Sequence, residues 1–418
     1  MYLTAYRATA RLVHRLPLPT GKLAESVAGR QAARGRWVAW AAHVGPAPHV
    51  IWVHAASVGE AMAAIPVIRR LHTARPETRF VLSHSSPSVQ AWSFPEIDHT
   101  DFVPLDEPAH VAPVLDAVRP ALLLFSRGDL WPELVTAAAA RGIPIAVTGG
   151  VVSARSSRLR WPARAVLRRA AASVGYLGAV SLEDAGRWHR LGVRPQVMRV
   201  SGDPRHDYAL ERDVDLTVAR HLSSWKGGEP VLVAGSIEPE GERPLIASLA
   251  ALMGGTTYRA ILVPHRPGSE TIGRLARRLD DARLPYAVWD ASDAAPAPPT
   301  QPIVLVRTLG ILFDLYLVAD VAYVGGGFGR RGLHSVIEPA AFALPIVVGP
   351  RWQRHADAAA LIGGAGAVST QTHAQLTQAI GHWLHDRDAR RRAGLAARRA
   401  LSAGAASIDA AAVQVLLQ

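Results

Sequence analysis

Residues 324–350, VGGGFGRRGLHSVIEPAAFALPIVVGP, limit what this chain can fold into more than any other stretch. The preceding apolar, β-prone run 321–324 stops at Gly325, Gly326 and Gly327, which tolerate positive φ and let backbone amides approach a ligand. After Gly332, residues 335–343 read as a helix, with Ser335 as N-cap and Glu338 three residues on, the pattern of a capping box. Leu344 and Pro345 break that helix, and 346–348 form a second buried strand ending at Gly349 and Pro350. A strand, a glycine loop, a helix N-terminus and another strand make half of a nucleotide-binding α/β unit, whose free N–H groups and helix dipole face an anion. Glycines that merely turn the chain would explain the loop but not the helix and strand after it.

A second stretch, IWVHAASVGE at 51–60, has the same logic with a carboxylate added. The strand 50–53 runs into small residues and then a helix beginning AMAAIPVI, so Glu60 stands at a strand tip and at a helix start. The helix dipole alone favours a first-turn acid by roughly 0.3–1 kcal/mol, which is a sufficient structural reason for Glu60. The functional reason is that ligands bind beyond the carboxyl ends of strands in open α/β sheets, where a carboxylate can take a proton from an attacking hydroxyl.

The remaining pattern is β then α, without a repeat of fixed period. Strands are expected at 50–53, 80–83, 122–125, 143–148, 176–179 and 197–200, then at 231–234, 258–263, 286–289, 303–306, 321–324 and 346–348. A composition shift after Asp207 places one α/β domain at 1–207 and another at 208–418, the last helix folding back on the first domain. The expected architecture is two doubly wound, Rossmann-like domains facing across a cleft.

The formal charge of +12 calls for an anionic partner. The chain has neither a Cys/His array nor an RNA-binding aromatic signature, so nucleic acid is not expected. Zero cysteines exclude disulfides and thiolate metal sites. Residues 1–36 hold seven Lys or Arg, at positions 7, 11, 15, 22, 30, 34 and 36, against the one acid Glu25. With Tyr2, Leu3, Tyr6, Leu12, Val13 and Leu16 interleaved, they predict an amphipathic helix ending before Pro17, with Leu3, Tyr6 and Val13 in lipid and Arg7, Arg11 and Arg15 on headgroups. No stretch reaches the roughly 18–20 apolar residues of a transmembrane span.

The motifs HAASVGE (54–60), SHSSPSV (83–89), VPLDEP (103–108), DLWPEL (129–134), SGDPRHD (201–207), AGSIEPEGE (234–242), VPHRP (263–267) and GGGFGRRGLHSVIEP (325–339) follow in one order along nearly the whole chain. In that order they resemble the bacterial transferases of 3-deoxy-D-manno-oct-2-ulosonic acid (Kdo). The resemblance implies a GT-B glycosyltransferase that moves Kdo from CMP-Kdo to a lipid A precursor in lipopolysaccharide core synthesis. It further implies a peripheral enzyme on the cytoplasmic face of the bacterial inner membrane. Four positions depart from the family pattern: Ser335 follows His334 where Asn is usual, Ile237 stands where Thr or His is common, Asp129 replaces Glu, and Arg307 replaces an acid.

Displacing CMP from a keto-sugar passes through an oxocarbenium-like state, and one carboxylate base suffices for direct inversion. Glu60 is the candidate base. Ser57, Ser85, Ser86, Ser88 and Asp129 are candidates for acceptor binding. Arg205, Ser236, His265, Arg266, Gly325, Gly326, Gly327, Gly332, His334, Ser335 and Glu338 are candidates for donor binding, Glu338 toward the ribose. No isolated D-x-D follows a strand, so neither a metal nor a cofactor is expected. An enzyme of the same fold with a uridine or guanosine sugar donor stays open, since Ser335 and Ile237 leave room for it. A non-catalytic membrane scaffold is a further alternative, which Glu60, His265 and Glu338 argue against.

Overall fold

The computed structural model describes residues 4, 6–8, 20–45, 49–255, 257–291, 300–330 and 332–418. Among the described residues fourteen strands divide into two seven-stranded, all-parallel sheets. The first holds β1 (Val50–His54), β2 (Arg79–His84), β3 (His99–Phe102), β4 (Leu122–Ser126), β5 (Ile145–Gly150), β6 (Tyr176–Ala179) and β7 (Met198–Val200), in spatial order 3-2-1-4-5-6-7. The second holds β8 (Val231–Ile237), β9 (Arg259–Pro264), β10 (Tyr286–Trp289), β11 (Ile303–Val306), β12 (Val321–Val324), β13 (Ile346–Val348) and β14 (Ala367–Ser369), in order 10-11-9-8-12-13-14. Parallel strands need crossovers, and here helices supply most of them, giving two Rossmann-like α/β units of GT-B type.

Burial on both faces explains why most strands read as unbroken apolar runs. In β1, Trp52 joins the core on one face with Phe125 and Phe102, while Ile51 and Val53 join Phe80, Leu82 and Ile65 on the other. Trp37 of the helix Lys22–Val44 stacks on Trp52 with centroids 5.1 Å apart, and its indole donates to the Phe102 carbonyl at 2.8 Å. Two strands were not expected, β3 with sequence HTDF and β14 with AVS. Both are sheet edges, where one flank is unpaired and the apolar run is unnecessary.

One unit comprises residues 1–211 and 402–418, the other 212–401. The division falls beyond Asp207, because Asp207 is inside a continuous helix, Pro204–Glu211. Its buried carboxylate accepts the Gly404 amide at 2.6 Å and the Ala406 amide at 3.1 Å, serving the start of the last helix, Ala405–Leu416. Further along that helix, buried Asp409 accepts from the Tyr176 hydroxyl at 2.7 Å, from the Gly149 amide at 3.3 Å and from the Thr148 hydroxyl. Residues far apart in sequence are thereby sewn to β5 and β6.

The N-terminal segment corrects one expectation. The Tyr6 hydroxyl donates to Asp106 at 2.8 Å and the Arg7 guanidinium makes two bonds to Glu133, at 2.8 and 3.0 Å. These two side chains therefore turn to the protein, drawn by two buried carboxylates, instead of to lipid and headgroups. The other residues assigned to that helix face, Tyr2, Leu3, Arg11, Leu12, Val13, Arg15 and Leu16, lie outside the described residues. Among the described residues no helix is long and apolar enough to cross a membrane.

Replacing Asp409 by Ala strands three buried donors at once. Each buried unsatisfied group costs about 1–3 kcal/mol, so the unfolding midpoint of the first unit should fall by at least the equivalent of about 2 kcal/mol in urea titration. A change within about 0.5 kcal/mol, typical of a surface site, would show that the last helix is held by packing alone.

Candidate functional site

In the first sheet β1 lies between β2 and β4, and the connections leave it in opposite directions along the sheet. The carboxyl edge at such a switch point is the usual ligand crevice of an open α/β sheet. Glu60 is there, in the first turn of the helix Val58–Ala74 that follows β1. Its Oε2 accepts the Ala56 amide at 2.8 Å, and its backbone carbonyl accepts the Ser126 hydroxyl at 2.6 Å. Ser57, the N-cap residue, makes no side-chain cap bond, and the Glu60 carboxylate instead fixes the backbone just ahead of the helix. Burial pushes the Glu60 carboxyl above its usual range; the Ala56 bond pulls it down, Asp129 adds to the rise, and His54 and Arg127 oppose it.

Asp129 arrives from the loop after β4. Its Oδ2 is 3.8 Å from Nε2 of His54, which is itself 0% exposed. The Trp131 indole donates to that same nitrogen at 2.9 Å, so the imidazole carries its proton on Nδ1, which donates to Ser83 Oγ at 2.9 Å. Arg30 stacks over Trp131 at 4.0 Å from the ring centroid. Burial works to raise the Asp129 carboxyl, but the nearby His54 ring, Arg158 and Arg30 outweigh it and the net shift is downward.

The serine candidates belong to the loop after β2 and stay half-buried. Ser85 donates to the Ala56 carbonyl at 3.3 Å, Ser86 accepts the Ser88 amide at 3.3 Å, and Ser88 accepts from Lys22 at 3.0 Å. Directly before them His84 is buried against Phe102, with centroids 4.4 Å apart, and burial pushes its pKa down to about 4. Ser57, Glu60, the serines and Asp129 therefore share one edge of one sheet. Arg205, expected among the donor residues, lies in this unit too, with its guanidinium tied to buried Asp203 at 2.6 Å beside Arg127.

The second unit has its own switch point at β8, between β9 and β12. Ser236 has φ 52, a conformation non-glycine residues seldom adopt, at the place where the β8–β9 register shifts. The three glycines that follow β12 are explained first by backbone packing. A Cβ on Gly325 would meet the Ser236 carbonyl, one on Gly326 the Gly332 carbonyl, and one on Gly327 the Gly349 amide at 2.7 Å. The Gly325 amide is already bonded to the Gly235 carbonyl at 2.9 Å, so it is not available to an anion. Gly326 and Gly332 have positive φ, 90 and 99, which fixes glycine at both.

His334 leaves this loop with its amide on the Gly325 carbonyl at 3.1 Å, and its Nε2 meets Glu238 Oε1 at 3.2 Å. His265 packs on the His334 ring, with centroids 4.3 Å apart, while Arg266 beside it is exposed. The helix expected at 335–343 is shorter, Ile337–Ala341, and Val336 is its N-cap without a side-chain bond. Pro339 is the reason: a helix capped by Ser335 needs an N–H at 339, and proline has none. Ser335 is exposed and forms no capping box. Burial pushes the Glu338 carboxyl up, Arg212 pulls it back and Asp314 adds to the rise.

Sequence reasoning missed His54, Trp131 and Glu238. The first two stand inside the motifs that drew attention to Glu60 and Asp129, and that position was the available signal. Glu238 precedes a proline and reads as a helix start, which hides its contact with a histidine of the loop after β12.

Residues 30–208 match the family model described as 3-deoxy-D-manno-octulosonic-acid transferase (kdotransferase). The chain is 31% identical over 384 residues to a 3-deoxy-D-manno-octulosonic acid transferase of Bordetella pertussis, covering 86% of this chain and 85% of that one. It is 26% identical over 309 residues to the enzyme of that name from Haemophilus influenzae, covering 73% and 71%. Among solved structures it resembles a UDP-GlcNAc 2-epimerase from Neisseria meningitidis with a TM-score of 0.62 at 12% identity, over 88% of this chain and all of that one. That last likeness concerns the fold.

The upward shift of Glu60 carries a stability consequence. A carboxyl whose folded pKa is raised favours folding while protonated, and this contribution is complete below the ordinary glutamate pKa and lost as pH rises through the folded value. Glu60→Gln should therefore melt at or above the wild-type temperature at pH 7, with the difference closing near pH 4. A variant less stable at pH 7 than at pH 4, relative to wild type, would mean that Glu60 is a structural cap instead.

Proposed function

The chain belongs to the 3-deoxy-D-manno-octulosonic acid transferase family and is a glycosyltransferase, and from that premise we propose that it transfers Kdo from CMP-Kdo to a lipid A precursor with inversion. The observation that carries the reading is Glu60, a partly buried carboxylate of raised pKa at the first switch point, backed by His54, Trp131 and Asp129. A base whose pKa approaches the working pH accepts a proton more readily than a free glutamate. In this reading Glu60 takes the proton of the acceptor hydroxyl as its oxygen attacks the anomeric carbon. The bond to the CMP phosphate breaks, and the phosphate leaves as an anion that needs no acid.

Positive character for that anion would come from the second unit. His265, exposed Arg266 and the amides near Gly326, Gly327 and Gly332 are the candidates, with Ser236, His334 and Ser335 around them. Glu338 is assigned to the ribose. Ser57, Ser85, Ser86, Ser88 and Asp129 are assigned to the acceptor.

A lipid acceptor calls for a peripheral enzyme on the cytoplasmic face of the inner membrane, and the surface after β5 suits an anionic leaflet. The segment leaves β5 at the same sheet edge as Glu60 and carries Arg155, Arg160 and Arg164 exposed around Trp161, which is 74% exposed. None of these three arginines is in an ion pair among the described residues. An interfacial Trp among cations is a common membrane-surface pattern, and each cation near an anionic surface adds on the order of 1 kcal/mol.

Purified protein given CMP-Kdo and tetra-acylated lipid A precursor should yield Kdo-bearing lipid by mass spectrometry. Glu60→Ala should lower turnover at least about a hundredfold while CMP still binds in calorimetry. The acidic limb of kcat/KM should lie above the ordinary glutamate range, because the base must be deprotonated and its pKa is raised. Near wild-type turnover in the variant would remove Glu60 from the chemistry.

The membrane reading has its own measurement. Exchanging Arg155, Arg160 and Arg164 for Glu should release the protein from anionic vesicles in sedimentation, with far less effect on turnover of detergent-dispersed acceptor. Unchanged sedimentation would place the contact elsewhere.

A further inference from the structure

We infer that Glu238, His265 and His334 form a binding site for a divalent transition-metal ion of the zinc class, built into the carboxyl edge of the second sheet. One carboxylate oxygen and one ring nitrogen from each histidine lie within 4.8 Å of one another. A tetrahedral zinc ion with bonds of about 2.0–2.2 Å needs its ligand atoms about 3.3–3.5 Å apart. Glu238 Oε1 and His334 Nε2, at 3.2 Å, already meet that spacing, with a ring nitrogen of half-buried His265 within 4.8 Å.

The surroundings hold these ligands in place. Glu238 is 5% exposed and follows β8 directly, at the N-cap of the helix Pro239–Met253, yet it makes no cap bond with that helix. His265 follows β9, with its amide fixed by the Ile237 carbonyl at 3.0 Å. His334 is fixed by the Gly325 carbonyl and stands over Gly326, where a Cβ would be 3.0 Å from its ring. The ends of β8 and β9 and the loop after β12 thus deliver two imidazoles and one carboxylate to one place. Two nitrogens and one oxygen suit zinc, nickel or cobalt better than magnesium or calcium, which prefer all-oxygen shells. Three protein ligands leave a coordination position for water or an anion.

The set escapes a sequence reading because its members come from three separate connections and no local spacing announces them. The site shares His265 and His334 with the proposed donor-binding set, but metal binding is read without substrate, so the two readings fail separately.

The test is competition between the full-length protein and a chromophoric chelator for zinc, with X-ray absorption on the loaded wild type. One zinc per chain should bind, with backscattering from two imidazoles. Glu238→Gln, His265→Asn and His334→Asn should each weaken binding at least about tenfold, the scale on which even outer-shell partners of metal ligands act. His373→Asn, at an exposed histidine on another helix, should leave it unchanged. Equal binding by the three site variants, or an absorption spectrum without two imidazoles, would overturn the assignment. The wild-type spectrum decides the matter even where a variant fails to fold.

Discussion

Parallel pairing is the constraint on which the rest of this molecule depends. When every strand of a sheet runs the same way, every loop that follows a strand emerges at one edge, and chemistry can collect only there. Glu60 after β1, the serine loop after β2 and Asp129 after β4 are neighbours for this reason, although β2 and β4 are far apart in sequence. The second sheet repeats the logic with Ser236 near the end of β8, Glu238 just after it, His265 after β9 and the glycine loop after β12. The cores beneath these edges exist on both faces of each sheet, so the edges are carried on rigid elements. Rigid support is what a site needs if a fraction of an ångström matters to its chemistry.

That same constraint decides what was legible in the amino-acid sequence. Strands such as β6, β11 and β12 are buried on both flanks and both faces, so nothing but apolar residues fits and their limits can be read directly. The edge strands β3 and β14 are freed from that demand and look like loops. Glu60 could be picked out because a strand, small residues and a helix follow one another without interruption. His54 could not be given a role, because its partners come from elsewhere, Ser83 from β2 and Asp129 and Trp131 from the loop after β4. The amphipathic N-terminus shows the limit of periodicity: it revealed an apolar and basic face, but not that Asp106 and Glu133 await Tyr6 and Arg7.

The glycine loop carries two physical causes in one signal. Its sequence suggests amides presented to an anion, whereas the immediate need is for backbone to pass backbone, since Ser236, Gly332 and Gly349 occupy the space a side chain would fill. Both causes can hold together. Close passage is what brings the strand ends of β8 and β12 together, and it sets His334 over Gly326 against Glu238 and His265. The Gly325 amide is consumed in this packing, so any anion held here must rely on side chains and on the remaining amides.

Two carboxyls close to one switch point end with opposite net shifts. Both Glu60 and Asp129 are pushed up by loss of water, but Asp129 has the His54 ring and the charges of Arg158 and Arg30 near it, enough to turn the net shift downward. Glu60 has one backbone N–H and weaker pulls from His54 and Arg127, and the charge on Asp129 raises it further. Environments that push a pair of acids apart separate their roles, one staying ionised while the other exchanges a proton. The ionised partner here also raises the basicity of the other. A site with Glu60 alone would have only burial to raise its pKa, and deeper burial would withdraw the carboxylate from the hydroxyl it must reach. Asp129 supplies part of the shift by charge instead, which leaves Glu60 half-buried and reachable.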